Sequence, residues 1–339
     1  MIDIQNRRYI GNKRKLLNNI ENIVSRYFGD SPIIFGDIFA GTGVVGYHFA
    51  NSRNKVIVND ILYSNYVPYK AWFSEEHIDI AKLQEILDKF NNLDMTNLDN
   101  NYFSDIYANK YFSEENAKAI GFIREEIEEY RDMLSEREYF VLLTSLLYYA
   151  DRTANTVGHF ESFLKQTPSI KPLNLEMLKL DNISNVEIYK KDANSLISDL
   201  ECDVVYIDPP YNARQYINFY HVLENLAQWE KPMEFEGNSM KFKRNHLKSG
   251  YSQAKAPMLF EELINKTLAK IIIVSYNNTY SAKSNASNNK ITEEQLESIL
   301  KKKGKVRIEE IEYKSFNSGK TDFKNHLEKL YICEVGEHE

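Results

Sequence analysis

The sequence predicts an α/β fold: a mostly parallel sheet with helices on both faces, interrupted by a mainly helical insertion. Three observations carry that reading. An apolar run from Ile33 ends in a glycine-rich turn that opens a helix. A second run, Val204 to Ile207, stops abruptly at Asp208-Pro209-Pro210-Tyr211. Between them, from about Phe73 to Ile183, apolar residues recur at helical rather than strand spacing.

In chain order, the basic stretch Arg7 to Lys15 comes first. Asn12 is placed to cap a helix carrying Leu16, Ile20, Ile23, Val24 and Tyr27 on one face. Gly11 just before it would let backbone approach a ligand closely. An ordinary basic helix start would look the same.

Next comes a strand, Ile33 to Ile38, then Phe39-Ala40-Gly41-Thr42-Gly43-Val44-Val45-Gly46. A further strand, Lys55 to Asn59, leads into Asp60. Gly41, Gly43 and Gly46 match the GxGxxG fingerprint of a Rossmann-like nucleotide site, with Asp60 at the next strand's tip to meet a ribose. Asp37 precedes the glycines, where an acid would repel a pyrophosphate but suit a ligand bearing an ammonium group. That favours S-adenosylmethionine over NAD.

In the helical block, Ile80, Leu83, Leu87 and Phe90 share one face, and Ile120, Ile123, Ile127 and Tyr130 another. Ser135-x-x-Glu138 is a capping box opening the apolar run Tyr139 to Ala150. The polar run Asp151 to Phe160 after it reads as a surface loop or as part of a substrate-reading surface. Strands resume at Val186 to Tyr189, followed by Asp192-Ala193, then at Cys202 to Ile207 and Lys270 to Tyr276. Val306 to Tyr313 and Lys329 to Val335 look like a closing pair. Thr279 to Asn289 reads as a polar loop, and Lys301-Lys302-Lys303 as a solvated helix end. From Lys231 to Lys255 six Lys/Arg stand against two Glu, a candidate phosphate-contacting segment or simply a solvated loop.

The Asp208 turn carries the chemistry. A proline pair cannot continue a ladder, so the strand ends in a stiff turn. In open α/β sheets ligands bind at the carboxyl ends of strands. There an acid and the Pro209 carbonyl together could accept both N–H bonds of an exocyclic amine, while Tyr211 stacks on its ring.

The 339 residues are 43% apolar, enough for one large core or a core with a satellite. A net charge of −7 argues against bulk attraction to nucleic acid, so any such surface must be a local patch. Cys202 and Cys333 lie far apart in apolar runs, which suits reduced thiols and a cytoplasmic location and calls for no metal. No apolar run reaches the roughly 18 residues of a membrane span, so no membrane partner is expected, and no signal-peptide core is evident.

Taken together, Tyr9-Ile10-Gly11-Asn12-Lys13, Asp37-Ile38-Phe39-Ala40-Gly41-Thr42-Gly43 and Asp208-Pro209-Pro210-Tyr211 resemble, in type and order, the Dam-like alpha-group adenine-N6 DNA methyltransferases of restriction systems. Ser275-Tyr276-Asn277-Asn278 and Ala154 to Phe160 are also similar to members of that family. The resemblance implies an S-adenosylmethionine-dependent enzyme that methylates N6 of an adenine flipped out of double-stranded DNA, with a cognate restriction endonuclease as a partner. It implies catalytic roles for Asp208, Pro209, Pro210 and Tyr211. Cofactor contacts would come from Tyr9, Gly11, Lys13, Asp37, Phe39, Ala40, Gly41, Thr42, Gly43, Asp60, Asp192 and Ala193. Residues 1–72 and 184–339 would form the catalytic domain and 73–183 the target-recognition region. One departure is that the insertion precedes Asp192-Ala193. An NAD-dependent dehydrogenase, or a non-catalytic DNA-binding partner of the same fold, remains an alternative, and within methyl transfer so do RNA adenine and the cytosine amine.

Overall fold

The computed structural model describes residues 1–7, 11, 13–277, 289–312 and 327–336. Numbering the strands of the main sheet, the chain runs α1 Leu17–Phe28, β1 Ile34–Asp37, α2 Val44–Phe49 and β2 Lys55–Asn59. Five helices follow: α3 Tyr63–Phe73, α4 Ile80–Asn91, α5 Tyr102–Tyr107, α6 Glu114–Glu129 and α7 Glu136–Thr153. Then come β3 Val186–Tyr189, α8 Ala193–Leu196, β4 Glu201–Ile207 and α9 Tyr216–Gln228. The chain ends in α10 Ala256–Lys266, β5 Leu268–Asn277, α11 Glu293–Lys303, β6 Gly304–Glu312 and β7 Leu327–Val335.

The chain divides into two compact units. One comprises Lys13–Ile61, Asn185–Tyr216 and His246–Glu339, and the other Met1–Asn12, Leu62–Ser184 and Ile217–Asn245.

The first unit holds the mixed seven-stranded sheet, in the order β3-β2-β1-β4-β5-β7-β6. The five strands from β3 to β5 are parallel, and β7 runs antiparallel to both β5 and β6. Its order reverses between β1 and β4, the kind of switch point where a crevice opens beyond the strand tips. In register, Asp37 lies opposite Tyr206, two residues before Asp208. One face is covered by α8, α10 and α11, whose Leu196, Phe260, Leu263, Leu296 and Leu300 pack on Val205, Ile207, Ile272 and Val274. On the other face Phe49 of α2 stacks on Phe35 of β1 at 4.0 Å. Of the predicted α1 stripe, Leu16, Ile20, Ile23 and Val24 are buried and Tyr27 is half-buried; Leu17 is buried beside them. The helix itself starts at Leu17 after a 3-10 turn, Arg14–Leu16, later than a cap at Asn12 would place it. Asn12, Tyr313 and the stretch from Asn278 through Asn288 lie outside the described residues.

The second unit is mainly helical, with one short antiparallel pair, Phe235–Glu236 with Lys241–Phe242. Ser135 and Glu138 form the expected capping box of α7, and Tyr139 to Ala150 are buried throughout. Two features differ from the sequence expectation. First, α3 begins before Phe73 and contains Pro68; its Val67, Tyr69, Ala71, Trp72 and Phe73 are all buried. Ser64 and Asn65 are buried with them while Tyr63 and Tyr66 are half-buried, so polarity does not follow burial and no amphipathic period betrays the helix. Second, residues 154–183 are not helical, although the expected block ran on to Ile183. Here Asn155 takes over, its side-chain amide donating to the carbonyls of Lys110, Leu164 and Gln166. Trp72 Nε1 likewise donates to the Lys179 carbonyl.

No helix among the described residues is long and apolar enough to cross a membrane.

Candidate active site

The glycine turn after β1 is tied down from both sides. Gly41 and Gly43 adopt φ of 55° and 81°, where a side chain would be strained. Ala40 N donates to the Asn59 carbonyl at 2.9 Å, and Gly41 N to Asp60 Oδ2 at 3.1 Å. Asn59 Nδ2 reaches both the Ile38 and Lys191 carbonyls, locking the tips of β1, β2 and β3 together. A Cβ on Gly46 would stand 2.4 Å from Val58 Cγ1, so the third glycine of the fingerprint is required for close helix–strand packing. Thr42 is buried and Phe39 half-buried, its ring edge-on to Tyr251 at 5.2 Å. Asp192 caps α8 through Ser195 N, and Ala193 behind it is buried.

Asp37 is 1% exposed. Its Oδ2 accepts Gly46 N at 3.0 Å, while Oδ1 is buried without a hydrogen-bond partner. Burial pushes its pKa up to about 8, against the Gly46 amide, and repulsion from Asp208 and Asp60 adds to the rise. An orphaned carboxylate oxygen beside a glycine loop is an acceptor awaiting a donor.

Asp208 stands at the tip of β4. Lys13 Nζ lies 3.2 Å from its Oδ1 and 2.5 Å from Glu328 Oε1 on β7. Ser275 Oγ of β5 donates to the same Glu328 oxygen at 2.8 Å. Burial raises the Asp208 pKa to about 7; Lys13 opposes that rise and Glu328 reinforces it. Burial would lower Lys13, but Asp208 and Glu328 outweigh it and hold its pKa well above the usual value. Pro209 is buried and Pro210 half-buried. The Tyr211 ring packs edge-on to Tyr276 at 5.6 Å, with Lys13 Nζ 5.8 Å from its centre.

The structure therefore gathers Lys13, Asp37, Asp60, Asp208 and Tyr211 at the carboxyl ends of neighbouring strands. Gly11, at φ 83°, precedes Lys13; Tyr9 lies outside the described residues. Sequence reading missed Glu328, Asn59 and Tyr251. For Glu328 a signal existed: it falls in phase with Leu330 and Ile332, an acid in the register of buried apolar residues.

The polar run after α7 and the basic segment are partly consumed by the fold. Asn155 and Phe160 are buried. Arg244 is buried on Asn218 and Glu236, and Lys231 pairs with Glu125, whereas Lys243 and Lys248 are exposed. Lys303 is buried, its ammonium on the Asn265 carbonyl, so the triple-lysine helix end is not wholly solvated.

A glycine turn after β1 and an acid-Pro-Pro-Tyr turn after β4 of such a sheet define a methyltransferase of the Rossmann-like class. Residues 9–308 match the family model of the D12 class N6 adenine-specific DNA methyltransferases. The chain belongs to that family. It is 34% identical to the type II methyltransferase M.NlaIII of Neisseria lactamica, over 96% of this chain and 98% of that protein. It is 34% identical to modification methylase StsI of Streptococcus sanguinis and 32% to type II methyltransferase M.FokI of Planomicrobium okeanokoites. Each of those matches covers 92% of this chain but only about half of the relative, 49% and 50%. Membership replaces the dehydrogenase and non-catalytic alternatives with methyl transfer to adenine N6 in DNA.

Proposed function

We propose that this site takes its methyl group from S-adenosylmethionine and that Asp208 and the Pro209 carbonyl grip the amine of an adenine flipped out of double-stranded DNA. The observation that carries the reading is the pairing of β1 with β4, which sets Asp37 and the Asp208 turn on adjacent strand tips. The donor set fits: the unpartnered Asp37 Oδ1 suits an ammonium, Asp60 a ribose, and the turn of Phe39, Ala40, Gly41, Thr42 and Gly43 offers close backbone approach. Asp192 and Ala193 would meet the donor's adenine. When bound, S-adenosylmethionine supplies an electrophilic methyl on a sulfonium sulfur.

A base inside a duplex cannot reach that methyl, and flipping it out costs a few kcal/mol. Stacking on Tyr211, held by the rigid Pro209-Pro210 turn, returns roughly 1–3 kcal/mol. By accepting the amine hydrogens, Asp208 and the Pro209 carbonyl pull the nitrogen lone pair out of ring conjugation and aim it. The lone pair so aimed would attack the donor's methyl, with the thioether as leaving group, and the Asp208 carboxylate on the amine would pass the surplus proton to solvent. Positioning of this kind is worth on the order of 7–11 kcal/mol. The helical residues 73–183 would read the DNA sequence. The likeness to modification methylases supports a cognate restriction endonuclease as partner, and the two buried free cysteines support a cytoplasmic setting.

Incubating the protein with unmethylated DNA and methyl-labelled S-adenosylmethionine should yield N6-methyladenine. Asp208→Ala should lower transfer by about 10³-fold or more while donor titration still shows binding. Near wild-type turnover by that variant would sink the assignment.

A further inference from the structure

We propose that Glu328 is a positioning residue for this reaction: it anchors the Lys13 ammonium so that the cation stands against one oxygen of Asp208 without closing on the carboxyl. The proposal rests on the reading of Asp208 as the group that grips the amine.

The geometry is asymmetric. Lys13 Nζ donates to Glu328 Oε1 at 2.5 Å but lies 3.2 Å from Asp208 Oδ1. Asp208 Oδ1 receives the ammonium at a poor angle, so its contact with Lys13 is the longer and weaker of the two. Glu328 is 3% exposed and sits on β7, hydrogen-bonded to strands on both sides. Ser275, on the adjacent strand β5, fixes the oxygen that holds Lys13. The lysine is therefore clamped by a rigid acid and only leans on Asp208.

The surplus acid is otherwise hard to justify. Lys13 and Asp208 alone would make a neutral buried pair, and an ammonium in that pair would settle on the carboxylate and take the lone pairs the amine needs. Adding Glu328 leaves a net negative charge among buried groups, a costly state for stability. In exchange Asp208 keeps open acceptors and a higher proton affinity, since Glu328 raises its pKa and Lys13 lowers it. Asp208 also interacts electrostatically with Tyr206 on its own strand, Tyr216 at the start of α9 and Asp37 on β1.

The test compares Glu328→Gln, Ser275→Ala and Asp208→Ala with the wild type in kcat, KM for DNA and for donor, and the pH dependence of kcat/KM. Removing the Glu328 charge relieves repulsion on Asp208 and releases the ammonium onto it. The acid limb should therefore move to lower pH, and kcat should fall at least about tenfold, against the ~100-fold that a 1 Å misplacement can cost. Both KM values should change less than about twofold, since uniform binding is untouched. Ser275→Ala keeps every charge and frees Glu328, so it should shift the limb the same way by less; it also serves if Glu328→Gln does not fold. An unmoved acid limb in a folded variant, or a loss confined to KM, overturns the proposal. Should Asp208→Ala turn over normally, the underlying reading of Asp208 fails instead.

Discussion

In the helical unit, Glu224 of α9 is fully buried and both its carboxylate oxygens are used, accepting Tyr63 N and Ser64 N at 2.8 Å each at the start of α3. Arg124, 1% exposed, donates to the Leu226 and Ala227 carbonyls near the end of the same helix and pairs with Glu128. Among the described residues of that unit, the buried side-chain atoms without a hydrogen bond are neutral: Ser64 Oγ, Thr144 Oγ1, His221 Nδ1 and Trp229 Nε1. In the sheet unit, by contrast, the atoms without a hydrogen bond include Asp37 Oδ1 and Asp208 Oδ1, the latter facing only the Lys13 ammonium, both at strand tips. The difference separates two uses of a buried charge. Where it closes helix ends it supports the fold, and where it keeps an open acceptor in a crevice it is poised for a ligand.

This contrast can be broken by experiment. Glu224→Ala removes two charge-assisted bonds of ~1.5 kcal/mol each, so denaturant unfolding should show a loss of about 3 kcal/mol. A stable, inactive Glu224→Ala would place Glu224 with the strand-tip acids instead. Asp37→Asn should do the reverse, weakening donor binding by about 10–100-fold in a titration, the value of one charge-assisted bond. Its stability trend has a definite sign. With a pKa raised from 3.8 to about 8, folded Asp37 holds a proton that the unfolded chain has released, so across that window it lowers stability as pH rises. Thermal melts of Asp37→Asn should therefore lose less stability between pH 5 and pH 8 than the wild type; equal losses would contradict the buried, protonated state.

Smaller effects sharpen the contrast. Gly46→Ala forces a methyl against Val58 and should cost about 1–3 kcal/mol by melting, a packing loss in the sheet unit unrelated to charge. Ser135→Ala removes one capping bond of α7 and should cost about 1 kcal/mol, with methyl transfer unchanged at temperatures well below the melt.

Much of this was legible because it is local. Ser135 and Glu138 form their box within four residues. The glycine turn and the proline pair dictate backbone by their own stereochemistry, and Gly46 reveals its packing role through its place in the fingerprint. What stayed hidden was non-local or lacked a period. Helix α3 buries Ser64 and Asn65 along with its apolar residues and carries a proline, so no amphipathic pattern marks it. Asn155 ends the helical block by bonding to carbonyls up to 45 residues away.

The sequence by itself determined the strand-turn-helix of the glycine loop, the stiff end of β4 and the acids placed at both tips, since each follows from the φ limits and hydrogen-bonding capacity of adjacent residues. Only the tertiary structure decided which acids meet which cation. Lys13 and Glu328 are 315 residues apart and come together because β7 inserts antiparallel between β5 and β6, a pairing chosen by the whole sheet's burial and by no short stretch of chain.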